Sequence, residues 1–214
     1  MKNNYDVAKI TEDIRNLEDI IGTCCEDAKE YKFVPGSFSY NMNVGNENVI
    51  GIDEKLLLEV QNLSKYDKKY LSALKMTVYH EIGHSKSYKK GREPALSEAI
   101  AELYAISKGS LDDYIIEVAV ISNIIGDELS EFNQTIKEPK DVVDYLLKHD
   151  SADKWKDKEF ASKFYEYDFA KNALDKVNLP YNEIFDRVIK ERESIDSLKR
   201  KNNLFIDKDM ISRK

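Results

Sequence analysis

Apolar residues recur at intervals of three and four along most of this chain and at intervals of two in one short stretch, which restricts it to a helical body carrying a small sheet. The first stripe, Val7, Ile10, Ile14, Leu17, Ile20 or Ile21, Cys24, Ala28 and Tyr31, predicts one long helix ended by Pro35-Gly36. The period then drops to two. Phe38, Tyr40, Met42 and Val44 alternate with Ser39, Asn41 and Asn43, the pattern of a half-buried strand. Gly45-Asn46-Glu47-Asn48 reads as a turn and Val49-Ile50-Gly51-Ile52 as the returning strand of a hairpin.

Beyond the hairpin the helical period returns. A short helix is expected over Asp53 to Leu63, and Ser64, with Asp67 three residues on, is expected to cap a longer one reaching about Tyr88. Leu71, Leu74, Val78 and Ile82 form its stripe. Pro94 at a first helical position and Gly109 past the end bracket a third helix, Pro94 to Lys108. The segment Asp112 to Leu129 is apolar nearly all round and belongs in the core. Amphipathic helices follow near Lys140 to Lys148, Lys154 to Val177 and Tyr181 to Lys201, with a loosely held tail after Asn202 that Leu204, Phe205 and Ile206 could dock.

Length and composition narrow the function classes. At about 150 residues per domain, 214 residues give one domain with an appendage or two small ones. We divide the chain into a metal-binding region, 1–110, and a helical C-terminal lobe, 111–214, joined as one unit. Thirty-three basic against forty acidic residues leave a net charge of −7, which disfavours a broad footprint on nucleic acid or anionic membrane. The start has no apolar signal region, and Glu117 and Asn123 interrupt the most apolar later stretch, so no membrane span is expected. Cys24 and Cys25 are adjacent and badly placed to bridge each other. With Cys24 on the apolar stripe, they read as buried thiols of a protein in the reducing cytoplasm.

The chain has three histidines, and two stand in Tyr79-His80-Glu81-Ile82-Gly83-His84. Fewer than about one chain in a hundred of this composition would carry that arrangement by chance. Four residues are a little over one helical turn, so His80 and His84 project from one face and their rings can converge on one ion. Imidazole is a common neutral ligand of Zn²⁺, and two of them with a carboxylate leave a position for water. Glu81 sits where it can take a proton from that water. The next helix offers the carboxylate. Glu98 and Glu102 again share a face, and two bare carboxylates there would repel unless a cation lay nearby. Ala95 and Ala101 are small enough to let this helix approach the histidine helix. Glu98 is assigned as third ligand and Glu102 as the acceptor fixing the other ring nitrogen of a ligating histidine, with the reverse order open at this stage.

An oxyanion donor is not singled out: His149, Tyr145, Tyr165, Tyr167 and Arg187 are all admissible. His149, beside Asp150, reads by default as a solvated helix end. Glu117 either lines the cleft or lies on a partly exposed face, and Lys86, Lys89, Lys90 and Arg92 read as a solvated loop.

The run His80-Glu81-Ile82-Gly83-His84 followed by Glu98-Ala99-Ile100-Ala101-Glu102 resembles the zincin metallopeptidases of gluzincin type, over about residues 49–107. Ser87 and Lys90 stand where the metzincin variant needs Gly and His. Thirteen residues separate His84 from Glu98, fewer than in the well-known gluzincins. In size and motif the chain is similar to small cytoplasmic zincins of mobile elements, the ImmA/IrrE type and the ArdC-like antirestriction type. The resemblance implies an edge strand beside the active-site helix, matched by Val49, Ile50, Gly51 and Ile52, that binds extended substrate by strand addition.

The expectation is therefore an α+β, predominantly helical, zincin-like fold, with a small antiparallel sheet packed on the metal-binding helix and a helical C-terminal lobe completing the cleft. The expected function is a zinc-dependent endopeptidase, with His80, His84 and Glu98 on the metal and Glu81 as general base. Its substrate would be a peptide or protein, including a dedicated partner such as a repressor or defence protein. The alternatives are a non-catalytic, zinc-containing module of antirestriction type that sequesters a partner, and a hydrolase of a non-peptide amide.

Overall fold

The computed structural model describes residues 30–44, 46–88 and 92–204. The expected helix through Val7 to Ala28, both cysteines, Lys89, Lys90 and the tail from Phe205 lie outside the described residues. Three strands, β1 (Tyr31–Gly36), β2 (Tyr40–Val44) and β3 (Glu47–Asp53), precede eight helices in the described chain. These are α1 (Glu54–Ser64), α2 (Leu71–Lys86), α3 (Pro94–Lys108), α4 (Leu111–Phe132), α5 (Pro139–His149), α6 (Lys158–Ser162), α7 (Asp168–Lys176) and α8 (Tyr181–Asn202). The chain is predominantly helical, as its periodicity requires.

The hairpin forms as expected, β2 running antiparallel to β3 with Tyr40 opposite Gly51. The ring of Tyr40 lies where a side chain on Gly51 would be: a Cβ there would come within 2.1 Å of it. The rest of the sheet departs from expectation in three ways. It is mixed, because β1 pairs in parallel with the other side of β3, giving the order β1-β3-β2. Tyr31 therefore belongs to a strand and not to the end of the first helical stripe. Pro35 is tolerated within β1 because that strand pairs on one side only among the described residues, and an edge strand does not need its N–H.

The second departure follows from the order. Val49, Ile50, Gly51 and Ile52 lie in the central strand, with both ladders already occupied, so they cannot take a substrate strand. Third, β2 turns its polar side to the helices. The Asn41 side-chain amide donates to the backbone carbonyl of Glu81 and to Ser85 Oγ, each at 2.8 Å, which leaves Phe38 63% and Met42 46% exposed. Alternation gave the two faces correctly but not which one looks inward.

Asp53 ends β3 and caps α1, accepting from the backbone N–H groups of Lys55 and Leu56. Ser64 closes α1 and does not open the next helix; Asp67 caps a single 3-10 turn, Lys68–Tyr70, that leads into α2. Helix α4 begins on a capping box between Ser110 and Asp113 and buries Tyr114 to Val120, while its second half rises toward solvent. The expected helix Lys154 to Val177 is interrupted. Asp157 caps the short α6, Phe164 is fully buried, and Tyr167 begins α7 with its hydroxyl accepting from Arg92. The Arg92 side chain, only 6% exposed, also donates to the Ser87 carbonyl, so it ties the loop after α2 to the C-terminal lobe and is not solvated.

One cluster of buried side chains runs from Phe33 through α1, α2, α3 and α4 to Ile195 of α8, so the core continues across residue 110. Among the described residues no helix is long and apolar enough to cross a membrane.

Candidate metal centre

Helices α2 and α3 approach closely where Gly83 faces Ala101. A Cβ on Gly83 would lie 2.8 Å from the Ala101 carbonyl oxygen and 2.9 Å from its Cα, backbone atoms that cannot yield without moving the helix. The glycine within the His-Glu-Ile-Gly-His run therefore sets the separation of the two helices that carry the site. Gly83→Ala is expected to cost about 1–3 kcal/mol in urea unfolding, the range for overpacking, and to weaken metal binding by displacing Glu98.

That approach brings the ligand candidates together. One donor atom each from His80, His84 and Glu98 lies within 4.8 Å of the others. Glu98 Oε2 is 3.1 Å from His80 Nε2 and 3.5 Å from His84 Nε2, so both rings present the same nitrogen to one carboxylate. The far nitrogens are held as well. His80 Nδ1 is 2.8 Å from Glu102 Oε2, and His84 Nδ1 is 3.3 Å from Ser97 Oγ. Glu102 is almost wholly buried behind His80, while Glu98 touches both rings, so the geometry favours Glu98 over Glu102 as third ligand. Ser97 escaped the sequence reading, although its place next to Glu98 was its signal. A donor set of two Nε2 atoms and one carboxylate, with each Nδ1 engaged elsewhere, fits Zn²⁺.

Glu81 is buried at 7% exposure and lines a cavity of about 230 Å³ together with His80, Glu98, Glu102 and Glu117. Burial pushes its carboxyl above the usual range, against the pull of His80 and His84, and that moves it toward the pKa a general base needs near neutrality. Glu117 is on the cavity wall and not on an exposed face; Thr77 Oγ1 donates to it at 2.8 Å. Burial, and after it the charge of Glu102, pushes its carboxyl well above the ordinary range. Thr77 and Asp150 also line the cavity, and nothing in their local sequence announced it.

Of the five candidate oxyanion donors, His149 alone lines this cavity. Its Nδ1 lies 3.5 Å from Asp150 Oδ1, and this contact raises its pKa despite partial burial. Tyr145 stacks against His149 from outside, Tyr165 is 66% exposed, Tyr167 is held by Arg92, and Arg187 pairs with Asp112.

His80 and Glu98 stabilise each other's charged forms. Burial opposes a charged His80, but its hydrogen bonds to Glu102 and Glu98 outweigh that and raise its pKa well above 6.5. Burial also opposes a charged Glu98, yet the two histidines hold it well below the ordinary carboxylate range. For His80, the stabilisation is complete below the unfolded pKa near 6.5 and is lost as pH rises through the raised value. For Glu98, it is present above about pH 4.3 and is lost as pH falls through the depressed value. Zinc must displace the His80 proton, so its affinity should rise with pH over the range where this contribution to metal-free stability declines. Thermal unfolding with chelator and with added zinc, from pH 5 to 9, should show the two curves diverging toward alkaline pH.

Comparison with protein-family models, curated proteins and solved structures gives no match to this chain, so the site rests on its own geometry.

Proposed function

We propose that this protein is a zinc-dependent peptidase of the cytoplasm, resembling the gluzincins in its site. The observation that carries the reading is the convergence of His80, His84 and Glu98 within 4.8 Å, beside a buried Glu81 in the same cavity. His80, His84 and Glu98 would hold the zinc. Zinc bound there supplies a Lewis acid that acidifies water and polarises a carbonyl.

The residues of the chain supply the rest. Glu102 keeps His80 in the tautomer that leaves Nε2 free, and Ser97 does the same for His84. Glu81 takes the proton of the attacking water and returns it to the leaving amine, a shuttle its raised pKa supports. His149, whose pKa Asp150 raises and which lines the same cavity, would donate to the developing oxyanion. With both sides of β3 occupied, β1 and β2 are the edge strands among the described residues, and the outer edge of β2, which Asn41 ties to α2 beside Glu81, is the one that would take an extended peptide.

Digestion of a mixed peptide library by the zinc-loaded protein, with and without chelator, tests the reading. Chelator-sensitive cleavage at internal bonds is expected. Cleavage of non-peptide amides alone would point to a different hydrolase, and tight binding of one protein without cleavage would favour the sequestering module.

A further inference from the structure

Behind the histidine pair the cavity ends in Glu102, Glu117 and Asp150; Glu117 has no part in the hydrolytic chemistry, and Glu102 engages His80 through Oε2 alone. Glu102 and Glu117 are 3% and 4% exposed, and Glu102 Oε1 and Glu117 Oε2 are buried with no hydrogen-bond partner among the described residues. Both side chains line the cavity, as does Asp150, and no lysine or arginine of the described residues does. The wall beside them is aliphatic: Val118, Ile121 and Ile124 of α4 and Leu146 of α5. Buried acceptors left without donors are costly, and carboxylates gathered around one cavity favour a cation among them.

We propose that this acidic end recognises a lysine side chain of the substrate, with the stem against Val118, Ile121 and Leu146 and the ammonium donating to Glu117 and Glu102. The proposal rests on the peptidase reading and names its substrate class. An ammonium suits the site better than a second metal. Among the described residues the one group of three or more that brings donor atoms within 4.8 Å of one another is His80, His84 and Glu98. Three N–H donors reaching about 2.8 Å can serve more widely spaced oxygens than a small divalent ion can at about 2.1 Å.

A side-chain ammonium also suits it better than a terminal amine. Glu102 Oε2 bonds His80 Nδ1, across the ring from the Nε2 that would face the metal, so this carboxylate lies behind the ring and away from the reacting carbonyl. The aliphatic side chains of Val118, Ile121 and Leu146 offer a surface that a methylene stem covers and a bare α-amine leaves open.

The test uses N-acetylated, C-amidated peptides carrying lysine, norleucine or Nε-acetyllysine at each position in turn, with a free-amine set beside them. Two readouts are taken: kcat/KM for the zinc-loaded wild type, and calorimetric Kd for the zinc-loaded Glu81→Gln variant. At one position lysine should exceed norleucine and acetyllysine by about tenfold or more. Glu117→Gln, or Glu117→Met if the first variant fails a circular-dichroism check of folding, should reduce the lysine-to-norleucine ratio to below about threefold. Equal or better binding of norleucine at every position, a ratio unmoved by the folded variant, no binding of any lysine peptide, or a preference confined to the free-amine set would each overturn the proposal. Lysine-selective binding by Glu81→Gln with no cleavage by the wild type would keep the pocket and remove the peptidase. Cleavage without lysine preference would do the reverse.

Discussion

Replacing Glu81 with glutamine should lower kcat/KM about 10²–10⁴-fold while leaving the zinc content unchanged, because the role proposed for this carboxylate is to move the proton of the attacking water and it is not among the three groups whose donor atoms converge. Glutamine keeps the size of the side chain, and the Glu81 backbone carbonyl still accepts from Asn41, so the join between sheet and helix survives. Folding should be preserved or improved, since a buried carboxyl held above its ordinary pKa gives way to a neutral amide. Parallel assays of cleavage, zinc content and thermal unfolding check all three effects. Full activity in this variant would refute the general base and favour a module that acts by binding alone.

Removing the third ligand should have the other large effect, and the two glutamates of α3 should differ. Glu98→Ala takes away the one carboxylate that touches both imidazoles and should abolish binding at micromolar zinc. Glu102→Ala removes a partner of His80 Nδ1 and should weaken affinity by about 10–100-fold, the usual cost of losing a group that orients a ligand. Zinc at a hundred times its Kd stabilises the wild type by about 2.7 kcal/mol, so a zinc-induced rise in Tm should be absent in Glu98→Ala and recoverable at higher zinc in Glu102→Ala. The opposite ranking would make Glu102 the ligand and reverse the assignment of the pair.

The centre could be read from the sequence because its parts are local. His80 and His84 are fixed by helical spacing, Glu98 and Glu102 by the same spacing one helix later, and Pro94 with Gly109 marks that helix to the residue. The one long-range condition, close approach of α2 and α3, was also visible in the small residue Ala101, although its counterpart Gly83 was not recognised as the contact. What failed to show in the sequence depends on the tertiary fold. A parallel partner such as β1 has no turn signal joining it to β3, so the strand order, and with it the loss of Val49 to Ile52 as a substrate edge, was not deducible from alternation. The inward side of β2 is set by Asn41 finding Glu81 and Ser85 across the fold, which local pattern does not encode. His149, Asp150 and Glu117 meet the centre from α4 and the end of α5, helices whose own sequences read as core and as a charged surface.

Metal analysis of the purified protein beside His84→Ala decides whether two imidazoles and a carboxylate share an ion at all. Close to one equivalent of zinc per chain in the wild type, and almost none in the folded variant, is the expected result. Equal zinc in both proteins, or no zinc in the wild type even after incubation with the ion at alkaline pH, would contradict the metal centre and the hydrolytic chemistry built on it.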